Sequence, residues 1–213
     1  MTKTKSIYTC DACGAQHLKW QGQCPDCGKW NALSESRLNL RQGSQSASRA
    51  PRVEPTRLDS LDIKRVERSS SGFSELDRVL GGGFVPGSVV LIGGDPGIGK
   101  STLLLSVVAS VSQNKQSCYV TGEESLDQIA LRAARLGVGE APVQLHSETC
   151  VEHVIATLRA STPQVLVIDS IQTLFSEQLS SAPGSVAQLR ECAAQLVRFA
   201  KECNVATILV GHV

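Results

Sequence analysis

Between an apolar run at 89–92 and a stretch of helical composition at 102–111, the chain reads Gly94, Asp95, Pro96, Gly97, Ile98, Gly99, Lys100, Ser101. Glycines at this spacing, closed by a lysine and a hydroxyl, suit a strand that runs into an anion-wrapping loop and then a helix. Glycine tolerates the dihedrals that turn successive N–H groups inward and lets the backbone approach closely. The helix adds its positive end. A plain glycine-rich turn would explain the glycines alone, but the full pattern between strand and helix favours a nucleoside triphosphate. On that reading Lys100 reaches the β- and γ-phosphates, the Ser101 hydroxyl binds Mg²⁺, and Thr102 completes the nucleotide-binding set.

The chain has 213 residues, enough for one sizeable core and a small appendage. No apolar stretch approaches the roughly 20 residues of a membrane-spanning helix. The first residues lead into polar sequence and not into a signal-peptide core, so the expected location is cytoplasmic, with no membrane partner. In that compartment eight cysteines read as free thiols or metal ligands more readily than as disulfides.

The formal charge of +1 hides an asymmetry. Up to Arg57 there are nine Lys and Arg against four Asp and Glu; beyond it, twelve against sixteen. A basic appendage on a mildly acidic core suits a polyanionic partner, though a basic tail that serves solubility has the same composition.

Three regions separate by composition: 1–33, rich in cysteine and tryptophan; 34–57, a flexible linker of Ser, Gln, Arg and Pro; and 58–213, where strand-like and helix-like segments alternate. Strands are expected near 89–92, 117–121, 143–146, 165–168 and 206–210. Helices are expected near 73–80, 101–112, 126–136, 151–160 and 186–203. This alternation predicts an α/β fold, a parallel sheet with helices on both faces. The continuous apolar run at 165–168 suits a central strand covered on both sides.

Cys10, Cys13, Cys24 and Cys27 form two C-x-x-C pairs ten residues apart. Two residues between paired thiolates let both sulfurs reach one ion, and two such knuckles complete a tetrahedral Zn²⁺ site. Gly14 and Gly28 follow the second cysteine of each pair, where a knuckle turn needs a residue tolerant of positive φ. So short a segment needs the metal for its folding energy. Disulfides or a redox-active pair are the alternatives. With four thiolates the site is structural, and His17 is expected on the surface. Trp20 and Trp30, beside Lys19 and Lys29, suit base stacking, but a role as the ribbon's own small core is slightly preferred. Cys118, Cys150, Cys192 and Cys203 read as small buried apolar residues.

A phosphate loop also needs a carboxylate at the end of a neighbouring strand to hold Mg²⁺, and Asp169 closes the apolar run at 165–168. Capping of the following turn is its alternative role. Glu123 and Glu124 follow the strand at 117–121, at the same sheet edge. Side chains alternate in extended chain, so only one can face the phosphates. Glu123 is the expected base for the attacking water, with Glu124 turned toward the next helix; Ser125 is an alternative cap for that helix. Gly211 and His212 follow the last strand, where a polar residue can sense a γ-phosphate.

The resemblance that these residues carry is specific. The four-cysteine ribbon with Trp30, the run SGFSELDRVLGGGFVPGSVVLIGGDPGIGKSTLLL, and the segments TGEES, VIDSIQT, APGSVAQLREC and LVGHV cover most of the chain outside the linker. Together they resemble the N-terminal part of the bacterial RadA (Sms) DNA-repair family, relatives of RecA. The resemblance implies a RecA-like P-loop NTPase core behind a zinc ribbon, and an ATP-driven motor of homologous recombination. It further implies binding of single-stranded or branched DNA, hexameric rings, branch migration, and a RecA-type recombinase or helicase as protein partner. It makes Asp169 the magnesium carboxylate, Glu123 the catalytic glutamate, and 176–185, a polar loop with Pro183 and Gly184, a DNA-contacting loop. The family continues past the LVGHV segment with further core strands, a lysine-asparagine-arginine-phenylalanine-glycine motif and a Lon-like domain. This chain has none of these, which predicts a core incomplete at its C-terminus and slow turnover. A nucleotide-gated protein-binding module without motor action is the competing expectation.

Overall fold

The computed structural model describes residues 6–37, 57–60 and 67–212. Most of the expected linker, from 38 to 56, lies outside these residues. The chain divides into two compact units, Met1–Val66 and Glu67–Val213.

In the first unit, β1 (Ser6–Cys10), β2 (Gln16–His17) and β3 (Leu33–Arg37) form an antiparallel sheet in the order β2-β1-β3. Its core is small: Cys10, Cys24 and Leu33 are buried, with Tyr8, Ala12, Cys13, Ala15 and Ala32 packed around them. Trp20 and Trp30 are absent from it, being 56% and 71% exposed. The expectation that the tryptophans build the ribbon's core is therefore wrong. The interior is filled instead by Cys10, Cys24 and Leu33, with Tyr8, Cys13 and three alanines around them.

The second unit runs α1 (Ser74–Val79), β4 (Val89–Gly94), α2 (Lys100–Ser112), β5 (Ser117–Thr121), α3 (Leu126–Arg135), β6 (Gln144–Ser147), α4 (Val151–Ala160), β7 (Val165–Asp169), α5 (Val186–Cys203) and β8 (Ala206–His212). The five strands are parallel, in the order β4-β8-β7-β5-β6. Because side chains alternate along a strand, each strand feeds two cores. On one face Cys118, Val120, Leu166 and Ile168 meet α4 and α5 through Val154, Leu158, Cys192, Leu196 and Phe199. On the other, Tyr119, Val165, Val167 and Ile208 meet α2 and α3 through Leu104, Val107, Val108 and Ile129. Every residue of β7 is buried, as a central strand with helices on both faces requires.

The strands β4 and β8 each run two residues beyond their apolar runs. Gly93 pairs with Gly211 and Gly94 with His212, so the ladder carries the chain to the loop that follows β4. Glycine has no strand propensity, so composition cannot signal this extension.

Candidate nucleotide and zinc sites

Parallel strands deliver all their carboxyl ends to one edge of the sheet, and the residues with chemistry gather there. Gly94 and His212 are register partners, as are Asp169 and Thr121. Asp95, Pro96, Gly97, Ile98 and Gly99 form an exposed turn between β4 and α2. Gly97 and Gly99 have φ of 80° and 97°, left-handed values that disfavour any side chain. An added Cβ at either would meet nothing within 4 Å, so conformation, not crowding, requires glycine here.

The Lys100 side chain folds back into this loop. Its Nζ donates to the carbonyls of Gly94 at 2.6 Å and Asp95 at 2.8 Å, and the residue is buried. Among the described residues no carboxylate pairs with it, so a buried ammonium stands beside an open loop without a counter-charge. No side chain caps the N-terminus of α2. Ser101, half-buried, and Thr102, exposed, lie in that first turn. An uncapped helix start, a glycine loop and an unneutralised lysine fit a polyphosphate.

Asp169 ends β7 with its carboxylate mostly buried. Tyr119, fully buried on β5, donates its hydroxyl proton to Asp169 Oδ2. Burial, with the Asp169 charge beside it, pushes the Tyr119 phenol well above its ordinary range, so it stays a neutral donor. Among the described residues nothing else hydrogen-bonds this carboxylate, which leaves Oδ1 for a hydrated cation. The Asp169–Ser170 peptide is cis.

Glu123 stands exposed just past β5 and accepts a hydrogen bond from Ser170 Oγ; His212 Nε2 lies 3.5 Å from the same carboxylate oxygen. Gly122 makes this approach possible. Its N–H donates to Asp169 O at 3.0 Å, and a Cβ there would fall 2.1 Å from Thr173 Oγ1. Glu124 turns away and pairs with Arg132 of α3 at 2.7 Å. Neither glutamate caps α3. Ser125 does, in a reciprocal capping box with Gln128.

The loop 176–185 is held from below by Gln188, which is 1% exposed. Its amide oxygen accepts from Ser176 N–H, and its NH₂ group donates to the carbonyls of Ser176, Leu179 and Ser181. Glu152 of α4 adds bonds from the Ser176 hydroxyl and the Gln195 amide. Sequence reasoning passes over Gln188, Tyr119 and Arg132. A lone tyrosine in a buried strand is the available signal, because a buried hydroxyl needs a partner.

In the ribbon the four cysteine sulfurs all lie within 4.8 Å of one another. Cys10 Sγ is 3.6 Å from Cys27 Sγ, and Cys13 Sγ 3.7 Å from Cys24 Sγ. Zn–S bonds of about 2.3 Å in a tetrahedron give S···S edges of about 3.8 Å, so the cluster has the size that zinc needs. Burial pushes the Cys10 thiol up, but backbone hydrogen bonds from Cys13 and Ala12 outweigh it and bring the group to about 7. Cys13 is favoured as thiolate by the Ala15 backbone, yet burial and the three neighbouring sulfurs push it up to about 12. Four thiolates this close need a cation among them.

His17 departs from expectation. Its side chain is 14% exposed, with Nε2 3.2 Å from Asp26 and 3.7 Å from Cys24 Sγ. Strand pairing explains this: His17 sits opposite Tyr8 on β2, which turns the ring over the second knuckle.

The AAA domain family matches residues 52–213, the whole span of the phosphate loop, Asp169 and Glu123. The chain belongs to this family. Residues 8–35 match the rubredoxin metal binding domain, which gives the AAA domain its N-terminal zinc ribbon. Curated relatives are similar along the whole chain. A DNA repair protein RadA from Pseudomonas aeruginosa is 51% identical over 215 residues, covering 100% of this chain and 48% of the relative. Those from Haemophilus influenzae and Escherichia coli are 48% and 46% identical, each covering 98% of this chain and 47% of the relative. The AAA chain thus spans about half the length of the curated relatives it matches. Among its described residues no helix is long and apolar enough to cross a membrane.

Proposed function

We propose that this chain carries the nucleotide-binding core and zinc ribbon of a DNA-dependent ATPase of recombinational repair, one that acts on single-stranded DNA and branched intermediates by branch migration. The observation that carries the proposal is the grouping at one sheet edge of the lysine-closed glycine loop, Asp169 and the Ser170-bound Glu123. In this reading the amides from Gly94 to Thr102 and the Lys100 ammonium bind the triphosphate. Ser101 and Asp169 hold Mg²⁺, which when bound neutralises charge on the phosphates. Glu123 orients and deprotonates the attacking water, and Ser170 holds its carboxylate in place. The relatives' names, DNA repair protein RadA, support the repair assignment. The basic N-terminal region and the exposed indoles support a nucleic-acid partner. Hexamer formation and contact with a RecA-type recombinase or helicase belong to the same proposal.

The test combines three measurements on one sample: ATP binding, phosphate release with and without single-stranded DNA, and sizing in both conditions. ATP·Mg²⁺ binding that Lys100→Ala removes, with turnover raised by DNA, is the expected result. Nucleotide binding left intact in Lys100→Ala would overturn the site.

A further inference from the structure

Tyr119 is a residue with no assigned role, buried between the magnesium carboxylate and α3. Its hydroxyl donates to Asp169 Oδ2 and accepts from Arg132 Nη2 at 3.4 Å; Arg132 Nη1 in turn donates to Glu124 at 2.7 Å. The directions follow from chemistry. A guanidinium only donates, so the phenol oxygen can only accept from Arg132 and must spend its single proton on Asp169. Arg132 comes seven residues after the Ser125 cap, about two turns along α3, so it returns to the helix face on which the capping box starts. Its side chain is 12% exposed, and Nε is buried with no partner. The guanidinium is thus fixed by Glu124 and Tyr119 alone among the described residues. Tyr119 also packs with Leu104, Val108 and Ile129 in the core between the sheet and the phosphate-loop helix, so the phenol has little freedom to move.

We infer that Tyr119 is a positioning residue for the nucleotide site. Its hydroxyl ties down Asp169 Oδ2 so that the carboxylate presents Oδ1 alone, in one orientation, to a magnesium ion. This rests on the proposed nucleotide site and goes beyond it. The line Glu124–Arg132–Tyr119–Asp169 joins the start of α3 to the cation site, so a ligand that moves α3 would alter the hold on magnesium. A free carboxylate would have to lose its rotational freedom on binding the ion, whereas one already held by a charge-assisted hydrogen bond has lost it beforehand.

The experiment titrates Mg²⁺ against a fixed concentration of a fluorescent non-hydrolysable ATP analogue bound to the 213-residue chain, with a parallel measurement in EDTA. Tyr119→Phe keeps the ring and removes one oxygen. The expected result is nucleotide affinity unchanged in EDTA and a Mg²⁺ midpoint raised about tenfold, as loss of a hydrogen bond to a charged group implies. Asp169→Asn should raise the Mg²⁺ midpoint further while leaving it measurable through Ser101 and the phosphates, and Tyr119→Phe should add nothing in that background, a coupling that loss of packing alone would not produce. Arg132→Gln, at a helix position outside the core, should raise the midpoint about two- to threefold as the phenol loses its second partner. An unchanged midpoint in Tyr119→Phe, or in Arg132→Gln should the tyrosine variant not fold, overturns the inference. Absence of any Mg²⁺-dependent binding by the unaltered chain overturns instead the nucleotide site on which it rests.

Discussion

Ser170 Oγ donates a 2.7 Å hydrogen bond to Glu123 Oε1, tying the residue after the β7 carboxylate to the glutamate after β5. The two strands are adjacent and in register at Thr121 and Asp169, and the Gly122 N–H bond to Asp169 O closes the gap. Glu123 is exposed, but one of its oxygens is fixed. The proposed base is thus aimed by its neighbour and not by burial. We expect Glu123→Gln to keep ATP·Mg²⁺ binding and lower phosphate release by about 10²-fold or more, the usual share of a general base. Ser170→Ala should lower release by a smaller factor with unchanged nucleotide affinity. Single-turnover phosphate release beside equilibrium binding separates the two effects. Weakened binding in Glu123→Gln with unchanged turnover would remove the residue from the chemistry.

The phosphate loop and the cysteine knuckles are legible in the sequence because each is a local pattern: neighbours in sequence are neighbours in the site. Asp169 is legible because an apolar strand ending in a carboxylate marks a sheet edge. What joins them is not. Tyr119 meets Asp169 only through the β5–β7 register, and Gln188 holds the loop at 176–185 from a helix that follows it. The tryptophans mislead because composition gives the supply of large apolar side chains but not the room. In this ribbon Cys10, Cys24 and Leu33 make up the small buried interior, and the indoles remain outside. His17 misleads for a related reason, since the short β2 pairing that turns it over Cys24 has almost no sequence signal.

The ribbon should fold only with its metal bound. Its buried apolar side chains are few, so zinc supplies most of its folding energy. We expect one zinc per chain, and a strong chelator at neutral pH should remove it together with the ribbon's protection against amide hydrogen exchange. The second unit should keep its protection, because its two hydrophobic cores lie on the faces of a separate sheet. Cys24→Ser, which removes a buried ligand, should lower zinc content to well below one. His17→Ala should weaken zinc about tenfold, as the loss of an outer partner of a metal ligand does. Hydrogen exchange with and without chelator checks the first point, and competition with a chromogenic chelator the second. Chelation that melts both units would refute the separation.

The chain has two tryptophans, both in the ribbon, so intrinsic indole fluorescence reports on this unit alone. Both rings flank Gly22, where an added Cβ would lie 3.7 Å from Trp30 and 3.9 Å from Trp20. Lys19 and Lys29 precede them in sequence and are exposed. Exposed aromatic faces beside lysines make a stacking surface for single-stranded nucleic acid, worth about 1–3 kcal/mol per stacked base. Oligodeoxythymidylate should quench the fluorescence in a saturable way, and Trp30→Ala should weaken binding at least about fivefold, at the lower end of that range. Neutralising Lys19 and Lys29 should reduce the salt slope by about 0.7 for each phosphate left without its lysine. Binding that ignores salt and both substitutions would point the ribbon toward a protein partner instead.

We expect acid stability to depend on Glu148, whose carboxylate binds the backbone N–H groups that lead into α4. Cys150 caps α4 without a side-chain bond, while Glu148 Oε1 accepts from the N–H groups of Thr149 at 2.7 Å and Cys150 at 3.0 Å. The Cys150 N–H is the largest cause that holds this carboxyl below its ordinary value of 4.5; burial opposes it, and Thr149 and His153 add to the lowering. A carboxyl lowered in the folded state releases its proton more readily there than in the unfolded chain. Its contribution is therefore complete above the ordinary value and is lost as pH falls through the lower, folded one. Burial alone would raise Glu152, but bonds from Ser176 and Gln195 outweigh it and leave this carboxyl lowered too, so it acts in the same direction. We expect the urea midpoint of the helical signal to fall as pH is taken from about 6 toward about 3, across the ordinary carboxylate range, and Glu148→Gln to flatten that fall. At neutral pH, Glu148→Ala should lower stability by about 1 kcal/mol, the usual cost of losing a helix cap. A pH profile of the same steepness in Glu148→Gln as in the unaltered chain would show that the carboxylate's charge contributes nothing to holding α4.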